Sequence, residues 1–225
     1  MMHQQMSFEL PVREALGRED FFISPANANA VAMIETWHQW PARKMLLNGP
    51  SGAGKTHLAH VWANLSGARI IGAQELRDLS VPALCRGPLA VEDCDRVAGD
   101  ARGERALFHL HNLLLAEGYA LLLTAERPAR AWELALPDLA SRMQAMPVVA
   151  LSAPDDALLK AVLMKLFTDR QIMPTPDTIP FLARRMERSF DAARQIVAAL
   201  DAAALASGRP VNRRLAAEVL DNSAR

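Results

Sequence analysis

The stretch "GPSGAGKTHL", residues 49 to 58, limits what this chain can fold into more than any other feature. It fits G-x-x-x-x-G-K-[ST] at Gly49, Gly54, Lys55 and Thr56, a phosphate-binding signature that works only between a buried strand and a helix. Both flanks have that form. "KMLLN" before it reads as a short buried strand, and "KTHLAHVWANL" after it reads as a helix. This context weighs against a glycine-rich turn with an incidental lysine. In the loop, glycine lets backbone N–H groups turn inward toward phosphate oxygens, and the helix that follows presents the positive end of its dipole. The expected nucleotide contacts are Gly49, Pro50, Ser51, Gly52, Ala53, Gly54, Lys55, Thr56 and His57. Lys55 is placed to meet the β and γ phosphates and Thr56 a magnesium ion.

Further apolar runs at "ARIIG", "PLAVED", "YALLLTAE" and "MPVVALS" alternate with longer helical patterns such as "RGERALFHLHNLLLAEG". That rhythm belongs to a parallel sheet wrapped by helices, with about five strands available. Ahead of it, "SPANANAVAMIETWHQW" offers Ser24 as a helix cap and Pro25 in the first turn. After Pro154 the strands stop, and "DDALLKAVLMKLFTDRQ", "DTIPFLARRMERS", "DAARQIVAALDAAALASG" and "NRRLAAEVLDNS" all carry the helical period. The expected class is α/β. A polar tail occupies residues 1–17, a nucleotide-binding sheet domain 18–152, and a small all-α domain 153–225.

The 225 residues contain 25 Lys+Arg against 25 Asp+Glu, so no overall positive field draws the chain onto nucleic acid, and sequence-specific DNA binding by this chain alone is disfavoured. Cys85 and Cys94 lack a C-x-x-C partner and read as reduced structural residues. The N-terminus has no apolar stretch of signal-peptide length, and no run approaches a membrane span. A soluble cytoplasmic protein with no membrane contact is expected.

Chemistry beyond the loop is carried by a few polar residues at strand ends. "LAVEDCD" closes an apolar strand with Glu92 and Asp93, where P-loop proteins keep a carboxylate for Mg²⁺ and often a second one for the attacking water. Such acids also occur in ordinary solvated turns. The usual first acid is Asp, and Glu92 is one methylene longer, which puts intrinsic hydrolysis in question. "LLLTAERP" ends another strand with Thr124 and Glu126 near the same place. Arg142 in "LPDLASRMQAMP" either pairs on the surface or projects to a neighbouring subunit's nucleotide. Arg194 in "SFDAARQIVAAL" poses the same choice toward the chain's own phosphates. The histidines at 57, 60, 109 and 111 do not form a ligand cluster, and the scattered tryptophans suit core anchors.

Together these residues resemble an ATPase of the AAA+ class, and in detail the family of the bacterial replication initiator DnaA. "FFISPANANAVA" is similar to that family's adenine-pocket opening, with Asn27 at the matching asparagine. "GKTHL" matches its P-loop exit, "DLASRM" the segment bearing its arginine finger, and "ARQIVAAL" the lid helix whose arginine senses nucleotide. The likeness runs from about residue 20 to the C-terminus, without the initiator's helix-turn-helix domain. That pattern resembles the short Hda-type homologues, which promote ATP hydrolysis on the initiator. The resemblance implies ADP or ATP with Mg²⁺ as ligands and Arg142 acting in trans. It also implies DnaA and the DNA polymerase sliding clamp as partners, and it leaves room for a homodimer. In "QMSFEL" the family's clamp-docking peptide maps onto Gln5, Met6, Phe8 and Leu10, with Glu9 where Pro is frequent. A stand-alone AAA+ ATPase of helicase- or clamp-loader type is the competing expectation. A small P-loop kinase fits less well because the helical region follows the sheet.

Overall fold

The computed structural model describes residues 22–223, so the tail peptide with Gln5, Met6, Phe8 and Leu10 lies outside the described residues. Five strands form one sheet: β1 (Lys44–Asn48), β2 (Arg69–Gly72), β3 (Leu89–Glu92), β4 (Leu121–Ala125) and β5 (Val148–Ala150). Their order is β2-β3-β4-β1-β5, with every pairing parallel. Each expected apolar run supplies one strand. In β1 the register runs from Lys44 opposite Leu121 to Asn48 opposite Ala125, while Leu46 meets Val148 on the other side.

Because successive strand residues point to opposite faces, β1 feeds two cores. Leu46 joins Val91, Leu123 and Leu110 on one face. Met45 and Leu47 join Ala90, Leu122, Leu58 and Trp62 on the other. Helices α1 (Ala28–Glu35) and α2 (Lys55–Ser66) cover the second face. The short α3 (Val81–Leu84), α4 (Ala101–Ala116) and α5 (Pro137–Gln144) cover the first. A third core belongs to α6 (Asp156–Asp169), α7 (Thr178–Arg185), α8 (Phe190–Ser207) and α9 (Arg213–Ser223), centred on Leu163, Phe167, Leu182 and Val197.

The first helix begins later than its sequence suggests. Asn27 has φ −130°, so helical geometry starts at Ala28, although the Ala28 amide already donates to Ser24 O at 2.9 Å. Ser24 and Pro25 therefore shape a preceding turn instead of the helix itself. Trp40 stacks on Trp62 at 5.4 Å and Trp37 meets it edge-on at 6.2 Å, which makes three of the four tryptophans one anchor between α1 and α2. Cys85 and Cys94 are free thiols.

Strand order decides where a ligand fits. Leaving β1, the chain crosses to the β2 edge, returns through β3 and β4, and ends on the opposite side of β1 at β5. The loop after β1 thus opens into the crevice of the switch point, where parallel α/β sheets place their sites.

Candidate nucleotide site

The P-loop runs from Gly49 to Gly54 between the end of β1 and the start of α2. Two of its glycines have φ of +67° (Gly52) and +97° (Gly54), conformations that residues with a Cβ adopt only under strain. Space demands glycine as well. A Cβ on Gly52 would sit 2.3 Å from Ser189 Cβ, and one on Gly54 would sit 2.8 Å from the Phe190 ring. The start of α8 therefore lies directly on the loop, and the Phe190 amide donates to Gly52 O at 2.9 Å. Among the described residues the amides of Gly52, Gly54 and Lys55 donate to no protein group. These inward amides, with the N-terminus of α2, make an anion cradle.

Lys55 is 7% exposed, and its ammonium donates to Gly49 O at 2.8 Å and Pro50 O at 2.9 Å. Burial pushes its pKa below the ordinary lysine value, against the pull of Glu126 first, then Asp93, Asp95 and Glu92. The structure thus brings the predicted acids Glu92, Asp93 and Glu126 around the loop lysine. Thr56 is exposed on the first turn of α2, and His57 is half-buried beside it.

The acids differ in how each is held. Glu92 ends β3 with Oε1 buried and without a hydrogen-bond partner. Asp93 has φ +56°, its amide donates to Thr124 Oγ1 at 3.1 Å, and its carboxylate lies 3.5 Å from Arg96. Glu126 is exposed just past β4. No group of three or more His, Cys, Asp or Glu among the described residues closes a metal cage. The orphaned Glu92 oxygen and the Thr56 hydroxyl nonetheless suit Mg²⁺, an ion that protein groups hold by one or two contacts while substrate phosphates complete its shell.

Asn27 is 3% exposed, and both ends of its amide are engaged. Its Oδ1 accepts from the Ser24 amide at 2.8 Å and its Nδ2 donates to Phe22 O at 2.8 Å. It folds the 22–27 segment beside the β5–α6 junction, where Ser152 N reaches Ala26 O at 3.2 Å. Arg194 lies one turn beyond Phe190 on α8, ion-paired with Asp191. Arg142 stands apart from all of these. It is exposed on the last turn of α5, and its charge acts on Lys44 at the start of β1, the end of that strand away from the loop, and on His111 of α4.

Three contributors escaped sequence reasoning. Asp95, 5% exposed, accepts the Arg127 amide and Nε at 3.2 and 3.4 Å, tying the β3 exit to the β4 exit. The second Asp of "EDCD" was its only signal. Glu104, 1% exposed, accepts from the amides of Gly99 at 2.9 Å, Ala135 at 3.1 Å and Leu136 at 2.8 Å, so one buried carboxylate clamps the entry of α5 to the loop after β3. Phe190 reads in sequence as a helix start, and nothing there places it on the loop.

The fold defines the class: a five-stranded parallel sheet with a P-loop after β1 and a helical C-terminal region is a DnaA-like AAA+ fold. No known protein family's sequence profile matches the chain. Among solved structures, it is similar to domain III of the Thermotoga maritima replication initiation protein DnaA at TM-score 0.81, covering 95% of this chain and 98% of that one at 20% identity. AMPPCP-bound DnaA from Aquifex aeolicus gives 0.68, with 81% and 64% covered at 16% identity, so the chain spans under two thirds of that protein. A Thermotoga maritima RuvB variant gives 0.66, with 87% and 68% covered at 14% identity. At these identities the likeness establishes the fold. No helix among the described residues is long and apolar enough to cross a membrane.

Proposed function

We propose that this chain binds ADP or ATP in its P-loop and regulates replication initiation by supplying Arg142 in trans to ATP held by the initiator DnaA. The sliding clamp is its second partner, docked through Gln5, Met6, Phe8 and Leu10. In this reading residues 18–152 hold the nucleotide, 153–225 form the lid, and the protein acts in the cytoplasm. The backbone amides of the loop and Lys55 bind the phosphates, with Asn27, Glu126 and Arg194 lining the nucleotide. Glu92 and Asp93 stand where Mg²⁺ would be held with Thr56. That ion, when bound, would supply neutralisation of phosphate charge. The AMPPCP-bound DnaA of Aquifex aeolicus supports a nucleotide ligand for this fold.

One observation carries the reading. Arg142 is exposed and forms no hydrogen bond or ion pair among the described residues, on a helix whose entry Glu104 fixes by two backbone contacts. A free guanidinium on a rigid mount is what an arginine acting in trans requires, because it stabilises charge that develops only in the transition state. Such a group is worth roughly 10³ to 10⁵ in rate. The test is ATP-to-ADP conversion on purified initiator with clamp-loaded DNA. Arg142→Ala is expected to return hydrolysis to its unstimulated rate while ADP binding and melting stay unchanged. Arg142→Lys rescues little, since an ammonium lacks the planar two-pronged contact. Full stimulation by the Ala variant would overturn the reading.

A stand-alone ATPase remains the second reading, favoured by the orphaned Glu92 Oε1 beside the loop. Steady hydrolysis by the isolated chain, abolished by Glu92→Gln, would select it.

A further inference from the structure

One aromatic ring in the helical region carries two arginines. Arg185 Cζ stands 5.3 Å from the centre of the Phe181 ring and Arg213 Cζ 5.1 Å from it, so α7 and the start of α9 hold two guanidiniums over one partly buried side chain. Arg184 joins them, because residues at i, i+3 and i+4 share a helix face and Phe181, Arg184 and Arg185 have that spacing. All three arginines are exposed. Among the described residues none of the three makes an ion pair, whereas their neighbours Arg188, Arg209 and Arg214 are taken up by Asp156 and Glu218. Asp177, at the other end of α7, accepts the Thr175 hydroxyl, and the chain leaves the helix at the extended Met186 before the exposed Glu187. The α7 pair suits its own helix, since a C-terminal turn favours cations. Arg213 does not: it opens α9 at the end where the dipole disfavours a cation, and no acid occupies that turn. Two helices thus bring like charges together with no carboxylate to offset them.

We propose that Arg184, Arg185 and Arg213 form a contact surface for the phosphate backbone of duplex DNA, whatever its sequence. This surface involves neither the nucleotide loop nor Arg142. Zero net charge excludes a field over the whole molecule and leaves a local cluster free to act. Guanidinium donors match phosphate oxygens two at a time, and stacking on Phe181 restricts Arg185 and Arg213 before any ligand arrives, so less freedom is lost on contact. A duplex carries one charge per ~1.7 Å of its axis, a density that satisfies adjacent cations together. Contacts of this kind position a protein on DNA and carry no sequence information. Single strands are held on rings open to base stacking, and here the ring is partly buried with guanidiniums over it. The same cover removes the apolar anchor around which peptide interfaces build their affinity.

The probe is a fluorescein-labelled duplex of about 20 base pairs and arbitrary sequence, titrated with the full chain and read by anisotropy at several salt concentrations; log affinity falls against log salt with a slope of about −0.9 for each phosphate met. Arg185→Ala and Arg213→Ala are each expected to weaken binding about three- to tenfold at low salt and to reduce the slope by about one, equally on duplexes of unrelated sequence. Arg213→Lys keeps the slope, because the charge stays. Phe181→Leu keeps both charges and loses their mount, so affinity falls about two- to threefold at unchanged slope. Arg130→Ala, exposed between β4 and α5, removes the same charge elsewhere and leaves binding unchanged. Melting curves accompany each variant, and where an Ala variant melts early the Gln variant at that position, polar and uncharged, takes its place. A duplex that wild type does not bind at low salt, or slopes that stay the same in both Arg185→Ala and Arg213→Ala, overturns the proposal. So does a single strand of the same sequence that binds more tightly than the duplex, or polyglutamate that displaces the duplex at equal charge.

Discussion

Lys44 opens β1 and Lys55 opens α2, past the loop at that strand's other end; they are 4% and 7% exposed, and both have their pKa lowered by burial. Their surroundings are inverted. Lys55 bonds two carbonyls inside an arc of Glu92, Asp93, Asp95 and Glu126, which offset part of what burial costs its charge. Lys44 bonds a neutral imidazole and faces a second cation. Burial alone therefore does not assign a role to a lysine. The charge of what surrounds it differs, and here it separates a lysine beside four carboxylates of its own chain from one that bonds a neutral ring.

The largest effect expected from testing this contrast is at the compensated end. Lys55→Ala removes the side-chain cation at the loop and takes its donor from Gly49 O, while Pro50 O keeps the Ala53 amide at 3.3 Å, and nucleotide affinity should fall roughly a hundredfold or more. Melting with and without ADP reads it directly, because a ligand bound only by the native state stabilises in proportion to RT ln(1 + [L]/Kd). Equal ADP shifts in both proteins would show that the nucleotide does not use this loop.

A smaller effect, with a defined pH window, is expected at Lys44. Its folded pKa of about 8 lies below the ordinary 10.5, so between these values the unfolded chain binds more protons and stability must rise with pH. Below pH 8 both states are protonated and the burial cost is fully present. Wild type should gain up to about 3 kcal/mol across that window relative to Lys44→Met, in which the rise is absent. Lys55 titrates in the same direction in both proteins and cancels from the difference. Parallel stability curves from pH 7 to pH 10.5 would mean that Lys44 is already neutral or already solvated.

The two lysines also mark how far sequence could see. The loop lysine was legible because its chemistry is local: glycines, lysine and threonine at fixed spacing, with apolar flanks that must be strand and helix. All five strands were visible for the same reason, as short unbroken apolar runs, although only the central β1, β3 and β4 are buried along their length while the edges β2 and β5 are partly exposed. Lys44 was invisible, since one Lys before "MLL" looks like a solvated strand end, and its partners arrive from sixty-seven residues away on α4 and from α5. Glu104 was hidden likewise. A glutamate in the first turn of α4 suits the helix dipole by itself, and only the fold turns its carboxylate onto Ala135 and Leu136. The α8 contact with Gly52 depends on how the helical region lies against the sheet, which no local pattern encodes.

The smallest effect sharpens the acidic side of the comparison. Asp93 belongs to the arc around Lys55, but its carboxylate also lies 3.5 Å from the half-exposed Arg96. Exposed pairs of this kind contribute about 0.2 to 1 kcal/mol, so Arg96→Ala should lower stability by no more than that. Its informative consequence is electrostatic. With Arg96 gone, Asp93 bears more strongly on Lys55 and on any phosphate in the cradle, and the added negative charge disfavours a triphosphate more than a diphosphate. Nucleotide titrations should show ATP affinity falling about two- to threefold relative to ADP, with the difference shrinking at high salt as surface charges are screened. A loss above about tenfold would instead make Arg96 a phosphate ligand. The arc around Lys55 would then contain a cation of its own, and the inverted surroundings of the two lysines would be less complete than the carboxylates alone suggest.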